Sequence, residues 1–100
     1  MANPVFGPAL AANEDIRMIT AALKDPASTF LDNRSFEMFE AIQFKEQQNM
    51  IQGSIFIIKV QISKTATGCI FIKIFIYQRK RVITGVLENQ ALDNTIQNFN

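Results

Sequence analysis

The sequence contains no histidine and only one cysteine, and both scarcities limit its chemistry. Histidine is the usual general acid–base group and metal ligand near pH 7, so these functions lose their commonest side chain. Cys69 has no second cysteine for an internal disulfide, which is typical of a reducing compartment. It also has no histidine to activate it, so we expect a buried structural thiol rather than a nucleophile. The composition therefore predicts no enzyme activity, no metal site and no cofactor.

Glycine is also scarce and scattered, which argues against a glycine-rich loop that cradles phosphate. The four glycines are Gly7, Gly53, Gly68 and Gly85. A formal net charge of +1 does not favour nucleic-acid binding. The basic run at residues 79–81 is expected to keep a hairpin tip solvated, and contact with nucleic acid or an acidic partner is the alternative interpretation.

Long apolar runs are absent as well, because Lys59 and Lys73 interrupt the most hydrophobic stretches. Neither stretch approaches the length of a membrane span. The first residues lack the basic and apolar regions of a signal peptide. These features predict a soluble, cytoplasmic protein that engages no membrane.

The sequence does have enough apolar residues for one packed core. Its 100 residues suit a single domain, and 48% of them are hydrophobic against 19% charged. We therefore expect one domain over residues 1–100. Residues 1–12, which contain Pro4, Gly7 and Pro8, are expected to form a flexible N-terminal arm.

The segment after the arm predicts a helix. Asn13 is a good N-cap, and Glu14 and Asp15 then occupy the first turn, where the helix dipole favours acids. Apolar residues follow at spacings of three and four: Ile16, Ile19, Leu23, Ala27 and Phe30. Pro26 interrupts this pattern, so the helix either kinks there or stops and restarts with Asp25 as a new cap.

Beyond a turn at residues 32–35 the pattern changes to that of strands. Aromatic and β-branched residues predict strands over residues 36–44, 54–62, 69–77 and 82–87. Polar turns are expected at residues 63–68 and 78–81. One helix followed by several strands with short connections predicts an α+β fold, with a long helix packed on a four- to five-stranded antiparallel sheet.

Both faces of the central strands are apolar. In the strand at residues 54–62 one face carries Phe56, Ile58, Val60 and Ile62, and in the strand at residues 69–77 one face carries Ile70, Ile72, Ile74 and Ile76. The opposite faces of these strands carry Ile55, Ile57, Phe71, Phe75 and Tyr77. A helix covers only one face of the sheet. The other is either covered by loops and the C-terminal residues, among which Ile96 and Phe99 are apolar, or exposed for self-association or a partner.

The predicted strand order brings particular loops together. In an antiparallel meander, alternate turns lie at the same end of the sheet. The tips near residues 47–53 and 78–81 are therefore expected to be neighbours, and the turn at residues 63–68 to lie at the far end. These two tips and the N-terminal arm would together form a wedge.

Several segments resemble the stefins, or type 1 cystatins. Residues 49–60 resemble the stefin central segment, with Gly53 after an apolar loop and an Ile-Lys-Val ending at Val60. Residues 14–19, 36–45 and 71–75 resemble the start of the stefin helix, the strand before the central loop and the third strand. Gly7 ends the arm as in that family. The resemblance implies a cystatin-like fold and a divergent member of the family.

The resemblance also implies a function. Stefins inhibit papain-like cysteine proteases such as cathepsins reversibly and tightly, by filling the active-site cleft with the arm and two hairpin loops. The protease-binding residues that the resemblance implies are Gly7, Gln48, Asn49, Met50, Ile51, Gln52, Gly53, Gln78, Arg79 and Lys80.

Two differences from the stefin pattern define the alternative. Asn49 stands at the usual glutamine position of the first loop, and the second loop is shorter and basic. The alternative is a non-inhibitory cystatin-fold protein that works by self-association or partner binding. A strand-exchanged homodimer is one form of it, with the loop at residues 47–53 as the hinge, since exchange recovers the native strand pairs.

Overall fold

The computed structural model describes residues 6–49 and 53–99. It contains one helix, α1 (Glu14–Phe30), and five strands: β1 (Leu10–Ala11), β2 (Glu40–Asn49), β3 (Gly53–Gln61), β4 (Cys69–Tyr77) and β5 (Lys80–Gln90). The strands form one antiparallel sheet in the order β1-β2-β3-β4-β5, and α1 packs on one of its faces. The predicted α+β class, with one helix on an antiparallel sheet, is confirmed. No helix in the described ranges is long and apolar enough to cross a membrane.

Helix α1 begins where its sequence predicts. The Asn13 side chain accepts a hydrogen bond from the Ile16 backbone N–H at 2.8 Å, which satisfies one of the free donors of the first turn. Thr20 is buried on the same face, and its hydroxyl donates to the Ile16 carbonyl at 2.7 Å. The buried positions of the helix are Ile16, Thr20, Leu23 and Ala27. The spacing of the apolar residues therefore predicted most of the packed face of the helix.

The far half of α1 differs from expectation. The helix runs through Pro26 to Phe30, so the alternative in which it stops and restarts at Asp25 is wrong. Pro26 is exposed, and it removes only the backbone hydrogen bond that its N–H would donate to the Ala22 carbonyl, so the helix continues past it. Phe30 is 49% exposed, so its predicted place on the packed face is wrong, whereas Ala27 in the same turn is fully buried.

Strand β2 begins four residues later than the predicted strand at 36–44. Phe36 and Phe39 pack on each other, with ring centroids 5.1 Å apart, and both lie against the core. Residues three apart in a strand point to opposite faces, so an irregular segment is needed to direct both rings inward. The strand then continues through Asn49, well beyond the predicted end.

The main core lies between α1 and the sheet. It joins the helix positions to one face of β2, β3 and β4, and its strand residues include Phe44, Ile58, Val60, Ile70, Ile72 and Ile74. The β3–β4 register places Ile58 opposite Ile72 and Val60 opposite Ile70. These pairs form a flat apolar layer on which the helix rests.

The opposite face of the sheet, which we call the tail face, is covered in part by residues 91–99, the tail. Ile57, Phe71 and Ile96 form a second buried cluster, against which Phe6 and Phe99 pack. The interpretation that C-terminal residues cover this face is confirmed for Ile57 and Phe71. Tyr77 remains 44% exposed at the end of β4.

Two lysines hold the tail in place. Lys59 is 2% exposed, and its Nζ donates to the Leu92 carbonyl at 2.8 Å and to Gln43 Oε1 at 3.2 Å. Lys73 Nζ donates to the Phe99 carbonyl and to Asn98 Oδ1, both at 2.8 Å. The two residues that break the apolar runs in the sequence are thus the residues that fasten the tail, on either side of Ile96.

Strands β4 and β5 are joined by a two-residue turn. Tyr77 pairs with Lys80, and the intervening Gln78 and Arg79 have φ of 51° and 68°. Two successive positive φ values define a type I′ turn, whose twist suits a hairpin. The predicted turn at 78–81 is therefore too long and the predicted strand at 82–87 too short, because Lys80 and Arg81 belong to β5.

Replacing this turn with Asn-Gly should stabilise the protein. Neither Gln78 nor Arg79 favours the left-handed region, which costs a residue with a side chain roughly 1–2 kcal/mol. We expect the double variant Gln78→Asn/Arg79→Gly to raise the free energy of unfolding by about 1–2 kcal/mol. Urea denaturation measures the change. Arg79→Gln is the control for lost charge and should give no such gain.

Ile96 should be the main apolar anchor of the tail. Ile96→Ala empties a fully buried site and is expected to lower the free energy of unfolding by about 2–3 kcal/mol. Hydrogen exchange across residues 91–99 should accelerate at the same time. Leu92→Ala is the matched control, since Leu92 is 51% exposed in the same tail. Equal losses in both variants would contradict this account.

Candidate functional site at the hairpin end of the sheet

Both hairpins of the sheet end side by side. The last pair of the β2–β3 hairpin is Asn49 with Gly53, and the last pair of the β4–β5 hairpin is Tyr77 with Lys80. Ser54 lies opposite Ile76, so the two ends are in direct contact through β3 and β4. We call this edge the hairpin end. The prediction that these two hairpin ends lie next to each other is therefore confirmed.

Gly53 is required at the hairpin end by packing. Its φ is +99°, and a Cβ at this position would lie 2.2 Å from the Ile76 carbonyl oxygen. The absence of a side chain lets β3 begin directly against β4. Gly53, a predicted site residue, is thus also required by the fold itself.

Gly7 reaches the same end by a different route. Its backbone N–H donates to the Glu46 carbonyl at 3.0 Å, three residues before β2 ends. Further along, Leu10 pairs with Phe44 and the Ala12 N–H donates to the Ile42 carbonyl. Residues 7–12 of the expected flexible arm are therefore bound along the outer edge of β2. Residues 1–5 lie outside the described residues.

Gly7 differs from Gly53 because the fold does not require it. A Cβ at Gly7 would have the Glu46 carbonyl oxygen at 3.7 Å as its nearest contact, an ordinary van der Waals distance. Its φ is not in the left-handed region. Any small residue would satisfy the local structure equally well, so the protein itself gives no reason for glycine here.

The remaining predicted site residues fall into three groups. Gln48 and Asn49 are the last residues of β2 rather than loop residues, because the strand pairing extends to Gly53. Gln78 and Arg79 form the tight turn, and Lys80 opens β5. Met50, Ile51 and Gln52 lie outside the described residues.

An open cleft of about 410 Å³ lies on the helix face beside the hairpin end. Its apolar walls come from both layers and include Ile16, Ile19, Phe44 and Phe56. Its charged lining comes from Asp15, Glu46 and Arg81. Sequence reasoning did not find this cleft, since it requires knowing how the first turn of α1 lies over β2 and β3.

The electrostatics of the tail face differ from those of the hairpin end. Burial lowers the pKa of Lys59 from its ordinary 10.5, against the opposing effects of Cys69 and Asp93. The Lys59 ammonium also lies 5.9 Å from the centre of the Phe71 ring, which offers a weak cation–π contact. Burial raises the pKa of Cys69 from its ordinary 9.0, and Lys59 opposes that rise.

These properties make Cys69 an unreactive thiol. It is 1% exposed, and its raised pKa keeps it protonated at neutral pH. Within residues 6–49 and 53–99, no group of His, Cys, Asp or Glu side chains could hold a metal ion. The described part of the hairpin end offers backbone groups, Gly53, the amide of Gln78 and the basic side chains of Arg79 and Lys80, which suit contact with another molecule.

No protein-family profile matches the chain, and no curated protein matches it significantly. Support for a function therefore comes from the geometry of the hairpin end and from the residues that form it.

The stability of the protein should depend on Cys69 at alkaline pH. Above pH 9.0 the unfolded chain loses the thiol proton, whereas the folded chain with its raised pKa retains it, so the free energy of unfolding falls. Lys59 acts in the opposite sense, because its lowered pKa makes stability rise as pH approaches 10.5.

Cys69→Ala tests the first of these effects, together with the influence of Cys69 on the pKa of Lys59. The difference in unfolding free energy between the native protein and this variant should be constant below pH 9.0 and shrink above it. Denaturation in urea at several pH values measures it. Ile62→Val is the control, since a core change without a titrating group should give a difference independent of pH. Parallel curves for Cys69→Ala would contradict the prediction.

Proposed function

We propose that the protein is a stefin-like, reversible inhibitor of papain-like cysteine proteases, built on a cystatin-like fold. The main support is that the Gly7 segment, Gly53 and the turn at residues 78–79 lie along one end of the sheet. Three backbone segments from distant parts of the chain thus form one edge, while α1 packs on a face rather than on that edge. Such an edge fits a narrow cleft.

Gly7 provides independent support. The fold leaves room for a side chain at this position, as the 3.7 Å contact distance and the ordinary φ indicate. A glycine that the fold does not need is well explained by the close approach of another surface. In the proposed complex, that surface is the wall of the protease cleft next to the catalytic cysteine.

Inhibition of this kind requires no chemistry from the inhibitor. The edge would block the cleft by shape, with van der Waals and apolar contacts supplying the affinity. Unbroken strand pairing from Gln43–Lys59 to Asn49–Gly53 fixes the two strands of the first hairpin relative to each other before binding. Such preorganisation lowers the conformational entropy lost on association.

The second hairpin would contribute less to this contact. Its two-residue turn projects little beyond the sheet, and it carries Arg79 followed by Lys80. Charged side chains brought against an apolar wall lose hydration without assured partners. We expect the first hairpin and the Gly7 segment to dominate binding, in a cytoplasmic setting that fits the single buried thiol.

Titration of papain and several cathepsins tests the proposal. The native protein should inhibit them competitively and reversibly, and Gly7→Glu should weaken inhibition by about tenfold or more, equivalent to about 1.4 kcal/mol. A side chain at Gly7 is compatible with the fold, so the variant should retain native stability. Ala66→Glu makes a similar change in an exposed turn at the far end of the sheet and should inhibit as the native protein does.

Full protease activity in a large molar excess of the native protein would overturn the proposal. Equal inhibition by the native protein and Gly7→Glu would remove the arm from the contact. Circular dichroism melting of each variant separates a lost contact from a lost fold.

A second candidate function is supported by an exposed apolar patch. Phe75 and Tyr77 stack with ring centroids 6.3 Å apart, and Val82, opposite Phe75, is 53% exposed. These residues lie on the part of the tail face that the tail leaves open. A non-inhibitory protein that binds a partner or a second copy would use such a patch.

A further inference from the structure

Strand β5 is the open edge of the sheet. Among residues 6–49 and 53–99 it pairs with β4 on one side only, whereas the outer edge of β2 is covered by residues 7–12. β5 spans eleven residues, Lys80–Gln90, and much of it is exposed. Unpaired backbone groups along such an edge are able to pair with another strand. The question is which strand fits it.

The residue order of β5 is complementary to itself when it is read in the opposite direction. Antiparallel pairing of two copies about a two-fold axis between Thr84 and Gly85 sets Arg81 opposite Glu88. The same register sets Val82 opposite Leu87 and Ile83 opposite Val86. We propose that β5 pairs with β5 of a second copy in this register, giving a symmetric dimer with a continuous ten-stranded sheet.

The faces of the strand agree with this register. Val82 lies opposite Phe75 and Leu87 opposite Phe71, so both point to the tail face. Ile83 and Val86 both pack against the core under α1. A register shift between Lys73 and Ile74 skips Thr84, and this bulge is what places residues three apart on one face. Both apolar pairs, Val82 with Leu87 and Ile83 with Val86, therefore join residues of the same face.

The pairing would also cover exposed apolar surface. Val82 is 53% exposed and Leu87 is 39% exposed in the single chain. In the dimer each contacts the other across the axis, as cross-strand neighbours do. The patch of Phe75, Tyr77 and Val82 would then continue from one copy toward the next.

The charges select a second copy over an unrelated strand. The start of β5 is basic at Lys80 and Arg81, and its far part carries Glu88. Within one chain Arg81 and Glu88 are seven residues apart, or about 23 Å along a strand, so they cannot pair. In the dimer, Arg81 of each copy lies opposite Glu88 of the other, so the pair forms twice. Glu88 already pairs with Arg34 at the surface and has a second carboxylate oxygen for Arg81 of the other copy.

The decisive experiment uses charge reversal in two separate variants. Arg81→Glu alone would set Glu against Glu88 twice in its dimer, and Glu88→Arg alone would set Arg81 against Arg twice. A mixed dimer of the two variants would restore one Arg–Glu pair at each end. Sedimentation equilibrium up to about 1 mM, where even weak association is populated, measures each sample and the equimolar mixture.

The expected result is a concentration-dependent dimer for the native protein, weakened about tenfold or more in each single variant. The mixture and the double variant Arg81→Glu/Glu88→Arg should both recover native association. Arg17→Glu, an exposed change on α1, should leave it unaltered. Added salt should weaken the native dimer.

Three results would overturn the proposal. One is a native protein that stays monomeric at all concentrations. Another is association that charge reversal does not alter, as expected for a strand-exchanged dimer or for pairing through another surface. The third is a mixture that associates no better than its components. Association is separate from protease inhibition, since Gly7→Glu should dimerise like the native protein.

Discussion

The register between β3 and β4 is the constraint on which the rest of the structure depends. It runs without a break from Ser54 opposite Ile76 to Gln61 opposite Cys69. Because side chains alternate between faces, this one alignment supplies both the apolar layer under α1 and the Ile57–Phe71 site for the tail. A slip of one residue would exchange the two faces and bring Lys59 beneath the helix. Gly53 permits this alignment where it begins, since a side chain there would clash with the Ile76 carbonyl oxygen.

The tail face shows how two charged residues are accommodated in an apolar sheet. Lys59 is buried by the tail it binds, and it exchanges water for the Leu92 carbonyl, the Gln43 amide oxygen and the Phe71 ring. Burial disfavours its charge, as the lowered pKa indicates, yet the hydrogen bonds fix where the tail lies. Apolar contact at Ile96 holds the tail against the sheet, and the hydrogen bonds from the lysines on either side fix its position.

Local patterns predicted the helix start and β4 well, because the Asn13 cap and the β-branched and aromatic residues of 69–77 act through near neighbours. They failed where distant contacts decide. Phe36 and Phe39 interrupt a strand-like sequence because both rings enter the core. Gly7 pairs with Glu46, which no local signal announces. For the site, the proximity of the two hairpins followed from strand order, whereas the cleft beside Arg81 and the length of the second turn depended on packing and on backbone twist.

The position of the tail in the chain has a consequence for biosynthesis. The tail leaves the ribosome after the strands that it covers: Ile96 follows Ile57 by 39 residues and Phe71 by 25, and it packs on both. While synthesis continues, α1 is able to cover one face of the sheet, but the tail face has no cover. The nascent chain therefore displays an apolar strand surface until the tail arrives, a period in which chaperone binding or contact between neighbouring nascent chains is most favoured.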